Sequence, residues 1–339
     1  MSGPPRDRAP LSCIRVLAKA TGTATLLLIF VGSLVTSTGS GLAVPDWPLS
    51  YGGLFPPLVG GMLYEHGHRV AATLVGILVL LQAILLGVRE PRRWVRVLGF
   101  GALAAILAQG LLGGLTVLFL LPTAVSVAHA LLAQALFAVT IGIAYALSRE
   151  RGRRVDASTL PDRVQEDPRM ARWLWLLLGV VYLQLVLGAL MRHTDAGLAI
   201  PDFPLLGGQV IPRFDAEMLG HIAADRSARG WQPVVLTQVV VHALHRGGAL
   251  LTLLVAGLAN YAAQRAPRIR WEIRRVLTWI NWLLLLQIGL GAATVLTGKV
   301  PLLASLHVVV GASILGGCVF GLLRALPVRL TAARAAATR

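Results

Sequence analysis

Eight apolar stretches, each close to the length that crosses a bilayer, leave this chain few folds to choose from. They cover approximately residues 18–37, 68–87, 96–118, 126–147, 173–191, 238–260, 276–296 and 304–324. About 20 predominantly apolar residues in a helix span the hydrocarbon core, so each run reads as a transmembrane helix. The expected class is an all-α polytopic membrane protein. Composition agrees, with 56% of the 339 residues hydrophobic and only 14% charged. Net charge is +16, and 29 of the 31 basic residues are arginines. In a soluble chain that balance suggests nucleic acid. Here the arginines gather in short segments between apolar runs, so they report topology, and no nucleic-acid partner is expected.

Arg89, Arg92, Arg93 and Arg96 separate the second and third runs. Seven arginines from Arg149 to Arg172 separate the fourth and fifth, and Arg265, Arg268, Arg270, Arg274 and Arg275 the sixth and seventh. The intervening loops are poor in arginine, with Asp46 and Glu65 in the first and Lys299 alone in the last. The basic side is expected to be cytoplasmic, which places both termini inside the cell membrane, as an even span count requires. Met1 to Arg15 mimics the start of a signal peptide, with a cleavage site near Gly41-Leu42-Ala43. The segment belongs to an internal repeat, which argues that it is kept. Cys13 and Cys318 lie at opposite ends of the chain without metal-ligand spacing, and no disulfide is expected.

Gly32 to Pro48 (GSLVTSTGSGLAVPDWP) aligns without gaps on Gly188 to Pro204 (GALMRHTDAGLAIPDFP). His68-Arg69 aligns on His245-Arg246 after about twenty extra residues in the second outer loop, and Gln109 with His129 repeats as Gln287 with His307. The chain therefore reads as two tandem four-helix bundles in parallel orientation: residues 1–149, a polar cytoplasmic linker 150–172, and residues 173–339. Repeats of this kind place sites inside each bundle or at their interface.

His68, His129, His245 and His307 each stand near the start of an even-numbered span, at similar depth near the outer face. Ionisable side chains at the mouth of a span are costly and by default mark function. Within each half the two histidines come from alternate helices and can face each other, an arrangement suited to the axial positions of a haem iron. A lone histidine there is as readily a satisfied packing residue; four at matching positions shift the balance toward ligation. His66, His193, His221 and His242 lack that pattern and read as solvated or locally bonded. Glu65 stands three residues before His68 on the same helical face and is placed to take or relay a proton, or to pair with Arg69. The second half carries His242 where the first has Glu65, so the two sites should differ in chemistry. Arg69 and Arg246 suit haem propionates or lipid headgroups equally.

These residues resemble the haem A synthases of the respiratory-oxidase assembly pathway. The resemblance rests on Ser40-Gly41-Leu42 with Pro45-Asp46-Trp47-Pro48, on Glu65-x-x-His68-Arg69, and on Phe203-Pro204-Leu205-x-Gly207-Gly208-Gln209-Val210-Ile211-Pro212, and covers roughly residues 14 to 325. It implies oxidation of the C8 methyl of haem O to a formyl group with haem b as cofactor. Carried over residue by residue, it implies substrate haem on His68 and His129, haem b on His245 and His307 with Arg246 beside it, and Glu65 as the catalytic carboxylate. It also implies haem O synthase and terminal oxidase subunits as partners, an unidentified electron donor, and surrounding membrane lipid. Two departures stand out. Some members carry a cysteine pair in the first outer loop, where this chain has Ala43, Val44 and Ser50. The arginine often found after the first span is Thr36 here, while the second copy keeps Arg192. The competing reading of the histidines is a bis-histidine dihaem b-type electron carrier, which leaves Glu65 without a role. A secondary transporter fits the duplication but not the outer-face histidines.

Overall fold

The structure, a computed structural model, describes residues 8–54, 56–157, 168–266 and 269–326. Unbroken apolar runs are helical throughout, because in lipid a helix satisfies its own backbone groups. In chain order the helices are α1 (Arg8–Ser37), α2 (Gly61–Arg89), α3 (Arg93–Leu118), α4 (Thr123–Ala146), α5 (Arg149–Ala157), α6 (Pro168–His193), α7 (Ala216–Ala228), α8 (Leu236–Arg265), α9 (Trp271–Leu296) and α10 (Pro301–Ala325). Eight of them, all but α5 and α7, are long and apolar enough to cross a membrane. The chain is an integral membrane protein of the all-α polytopic class.

The spans run longer than the apolar stretches alone suggest. Gly60 takes φ +54°, and α2 begins immediately after it rather than at His68. Its 29 residues measure about 43 Å, well over the ~30 Å of hydrocarbon. Tyr64 to Arg69 are therefore helical, in the part of α2 that can project past the apolar core. At the start of α8, the Gln238 side chain accepts from the Val235 N–H, and Pro301 opens α10 where its missing N–H is no loss.

Two apolar cores form. One gathers Ile14, Val79, Leu86, Val95, Leu136 and Ile143 from α1 to α4. The other gathers Leu174, Leu177, Ala256, Leu277, Ile280 and Leu315 from α6 and α8 to α10. Between them, Ile29, Phe137 and Ala312 join α1, α4 and α10. Polar contacts cross the same seam: Arg192 on α6 donates to the Ser33 carbonyl and the Ser37 hydroxyl, and Ser305 on α10 bonds Ser37 at 3.0 Å. Large side chains such as Leu81, Ile84, Trp279 and Trp282 remain exposed, as lipid-facing residues do.

The extra residues of the second outer loop build α7, capped by Asp215, whose carboxylate accepts from the Met218 N–H at 2.9 Å. Met218 and Ile222 pack α7 onto Ile200 and Val239. At the arginine-rich end, the expected linker starts as a helix. Glu150 of α5 receives two hydrogen bonds from Arg324 of α10, at 2.8 and 2.7 Å, and Arg154 donates to the Leu323 and Leu326 carbonyls. Residues 158–167 of that linker lie outside the described residues.

Candidate functional site

Each outer loop is tied to the helix that follows it by the same set of contacts. In the first loop, the Asp46 carboxylate accepts from the N–H groups of Tyr51 and Gly52 at 2.7 and 2.8 Å, closing a turn. Those bonds, Gly52 first, hold its carboxyl below the usual aspartate value. Arg69 on α2 reaches back and donates to the carbonyls of Asp46 and Leu49 at 2.8 and 2.7 Å. Glu65 is buried between them: one carboxylate oxygen accepts from the Val44 N–H at 2.8 Å, the other from Arg69 at 2.8 Å. In the second loop Asp202 accepts from Gly207 and Gly208, and Arg246 donates to the carbonyls of Asp202, Leu205 and Ile200. His242 takes the place of Glu65, with Nε2 accepting from Arg246 at 3.0 Å and Nδ1 standing 3.2 Å from the Ile200 nitrogen. Sequence pairing put Glu65 opposite His242. That the two share one place, between the loop backbone and an arginine four residues on, was not legible there. Arg69 and Arg246, matched in the sequence to propionates or headgroups, have loop carbonyls as their partners.

The four histidines sit just inside these clamps. The imidazoles of His245 and His307 have ring centres 6.3 Å apart with planes at 60°. Metal–imidazole bonds are about 2 Å, and each ring centre lies about 1 Å behind its nitrogen, so one iron shared by two opposed rings separates the centres by about 6 Å. The pair fits a bis-histidine haem. His68 and His129 lie within electrostatic range of each other in the other bundle. Among the described residues no group of three or more His, Cys, Asp and Glu converges.

Each histidine lies against a glycine of a neighbouring helix. A Cβ would stand 2.8 Å from His68 Cε1 if added at Gly32, 3.4 Å from His129 Cε1 at Gly113, 3.1 Å from His245 Cε1 at Gly188 and 3.1 Å from His307 Cε1 at Gly291. These four cradles escaped the sequence reading, although the signal was present. Gly32 aligns on Gly188, and Gly113 and Gly291 each follow the repeated glutamine by four residues.

The two pairs differ in how the far ring nitrogen of one member, His68 or His245, is held. His307 Nδ1 lies 3.1 Å from the Gln287 carbonyl oxygen, and His245 Nδ1 lies 3.2 Å from the Gln184 amide, which also donates to the His245 carbonyl at 2.8 Å. His68 Nδ1 is buried without a partner, and His129 faces the Gln109 backbone as His307 faces that of Gln287, in a looser contact. Gln184 was also missed from sequence; its aligned position in the first half is Leu28. Of the remaining histidines, His66 bonds Ser50 at 2.8 Å, His221 packs on Gly208, and His193 ends α6 with its carbonyl accepting from Thr123. Of these three, His193 lies within electrostatic range of His129.

Comparison with known proteins matches residues 59–319 to a family described as cytochrome oxidase assembly protein. Similar chains include proteins named "Heme A synthase" from three bacteria. The Symbiobacterium thermophilum protein is 28% identical over 83% of this chain and 85% of its own length. The protein of Caulobacter sp. strain K31 is 29% identical over 83% and 86%. That of Halalkalibacterium halodurans is 27% identical over 88% and 92%.

Proposed function

The chain belongs to the cytochrome oxidase assembly protein family, and from that premise we infer that it is a haem A synthase, a membrane enzyme that oxidises the C8 methyl of haem O to the formyl group of haem A. The observation that carries the reading is two histidine pairs, of which only the second is braced by a glutamine side chain. His245 and His307 have their far nitrogens engaged and their ring centres at a single-iron spacing. Such outer contacts fix ring orientation and strengthen metal binding by about 10- to 100-fold. They form the resident haem b site. His68 and His129, of which His68 has Nδ1 without a partner, would hold haem O, which has to enter and leave. Residues 1–149 are thus the substrate half and 173–339 the cofactor half, joined by the linker 150–172.

Haem b in the second half supplies one-electron redox chemistry. The protein's own groups do the rest. Glu65 is the catalytic carboxylate; each of its oxygens accepts one hydrogen bond and keeps a second lone pair, where a proton from the substrate is taken. Arg69 holds the carboxylate and the loop together. Arg246 serves the haem b site by fixing its loop to α8 one residue beyond His245. The arginine-rich ends and both termini face the cytoplasm of the cell membrane. Haem O arrives from a haem O synthase and haem A leaves to terminal oxidase subunits; dioxygen would be the oxidant and oxygen source, with an electron donor supplying the electrons that reduce its remaining oxygen to water.

The test is complementation of an oxidase-assembly host that lacks its own haem A synthase, read by chromatography of extracted haems. Formyl haem is expected. Haem O persisting unchanged beside well-expressed, haem-loaded protein overturns the reading, and haem B alone in both sites turns it into the electron carrier.

A further inference from the structure

At the arginine-rich end of the α2–α3 hairpin the two helices part around a groove of about 520 Å³. Its walls are Ile84 and Val88 of α2 and Val97 and Phe100 of α3, each more than half exposed. Gly87 forms its floor, where an added Cβ would stand 3.2 Å from the Phe100 ring. Arg93 and Arg96 stand at its mouth, three residues apart on one helical face. An apolar slot of this kind opening onto two cations matches an acyl chain ending in a phosphate.

The charge at the mouth is uncompensated. Glu90 is the nearby carboxylate, and Arg92 holds it with Nε and Nη2, at 2.6 and 2.9 Å, and with its backbone N–H. Burial works to raise the Glu90 carboxyl, but these bonds win and hold it below the usual range, so it is ionised and engaged. Arg89, Arg93 and Arg96 have no acidic partner among the described residues. The α8–α9 hairpin provides the contrast. In the register that sets His68 on His245 and Gln109 on Gln287, it has Tyr261 and Gln264 where α2 has Ile84 and Gly87. Its Arg274 caps the end of α8, and Arg265 and Arg275 lie over Tyr261 and Trp271. There larger side chains replace the isoleucine and the glycine, and Arg265, Arg274 and Arg275 have partners within the protein.

We propose that the α2–α3 groove binds one anionic phospholipid, with an acyl chain on Ile84, Val88, Val97 and Phe100 and the phosphate between Arg93 and Arg96. Basic pockets between spans near a membrane surface are suited to anionic headgroups, and a zwitterionic lipid brings no net charge to the arginines. The site is independent of the haem reading.

Native mass spectrometry of the full-length haem-loaded protein, offered phosphatidylglycerol or phosphatidylcholine with identical acyl chains, tests it. Wild type should retain one phosphatidylglycerol in preference. Arg93→Gln with Arg96→Gln should weaken that lipid by about thirtyfold, the factor for two arginines near a charged surface, and abolish the preference. Gly87→Leu, which fills the floor, should lower occupancy by both lipids, and Arg265→Gln with Arg275→Gln should change nothing. Haem absorbance in each variant reports folding separately. Equal retention of the two lipids by wild type overturns the proposal, as does a preference that survives loss of Arg93 and Arg96. A dimer mass without lipid, lost in Gly87→Leu, shows instead that a second copy covers the groove.

Discussion

Gly291→Ala is expected to separate haem binding from protein stability. The new Cβ stands 3.1 Å from His307 Cε1 and 3.5 Å from Nδ1. Carbon atoms pack best at about 3.5–4.0 Å, so the imidazole must withdraw by about half an ångström. That is the tolerance within which a functional constellation has to be held. The displacement also strains the contact between Nδ1 and the Gln287 carbonyl, now 3.1 Å. Without haem the ring has room to swing, and alanine gains about 0.8–1 kcal/mol of helix propensity over glycine. The apoprotein should therefore melt no lower than wild type. Haem b retention should fall by about tenfold or more, the usual penalty for disturbing the support of a metal ligand. Gly289→Ala, two residues away with nothing within 4 Å of its Cβ, is the control. It receives the same propensity gain and should keep its haem. The measurement is haem transfer to an excess of apomyoglobin, followed in the visible spectrum beside thermal unfolding of the apo form. If Gly291→Ala loses haem no faster than Gly289→Ala, the glycine does not seat the histidine and the cradle reading fails.

The two histidine pairs should respond differently to truncation: His245→Ala or His307→Ala removes most tightly bound haem b, while His68→Ala spares it and abolishes turnover, checked by absorbance and by extracted haems. Glu65→His installs the side chain that His242 uses for the same clamp, so the loop should stay resistant to protease while haem O or a hydroxymethyl haem accumulates; formyl haem at the wild-type rate would return Glu65 to a purely structural role. Asp46 has a lowered folded pKa, so its contribution is fully present above the unfolded value, 3.8, and is lost as pH falls through the folded value. Wild type should then resist cleavage between Leu49 and Leu54 until pH drops below that point, whereas Asp46→Asn should be cut at neutral pH.

Much of the architecture was legible in the sequence because lipid leaves a chain so little choice. Apolar length alone located all eight spans, and His245 and His307, singled out by their place in the repeat, meet at a haem-like spacing. What escaped notice was of two kinds. Helix ends depend on single backbone angles, such as φ +54° at Gly60, and hydropathy carries no trace of them; α2 consequently begins seven residues before His68. Contacts formed by absent atoms were also invisible. Gly32, Gly113, Gly188 and Gly291 look like ordinary small residues in a span until an imidazole is found against each. Arginine was read by its charge, whereas Arg69 and Arg246 act through the fork of N–H groups that gathers carbonyls from a loop.

The strap from α5 to the end of α10 also orders events in time. Glu150 leaves the ribosome 174 residues before Arg324, the residue that holds both its oxygens. At ordinary rates of synthesis that interval is roughly ten to thirty-five seconds. Through all of it the two hydrogen bonds from Arg324 are missing, although Arg270, 3.8 Å from the same carboxylate, emerges earlier. The full clamp on Glu150 therefore forms only once the last span has been made, and a chain that stalls before Arg324 lacks both of its hydrogen bonds.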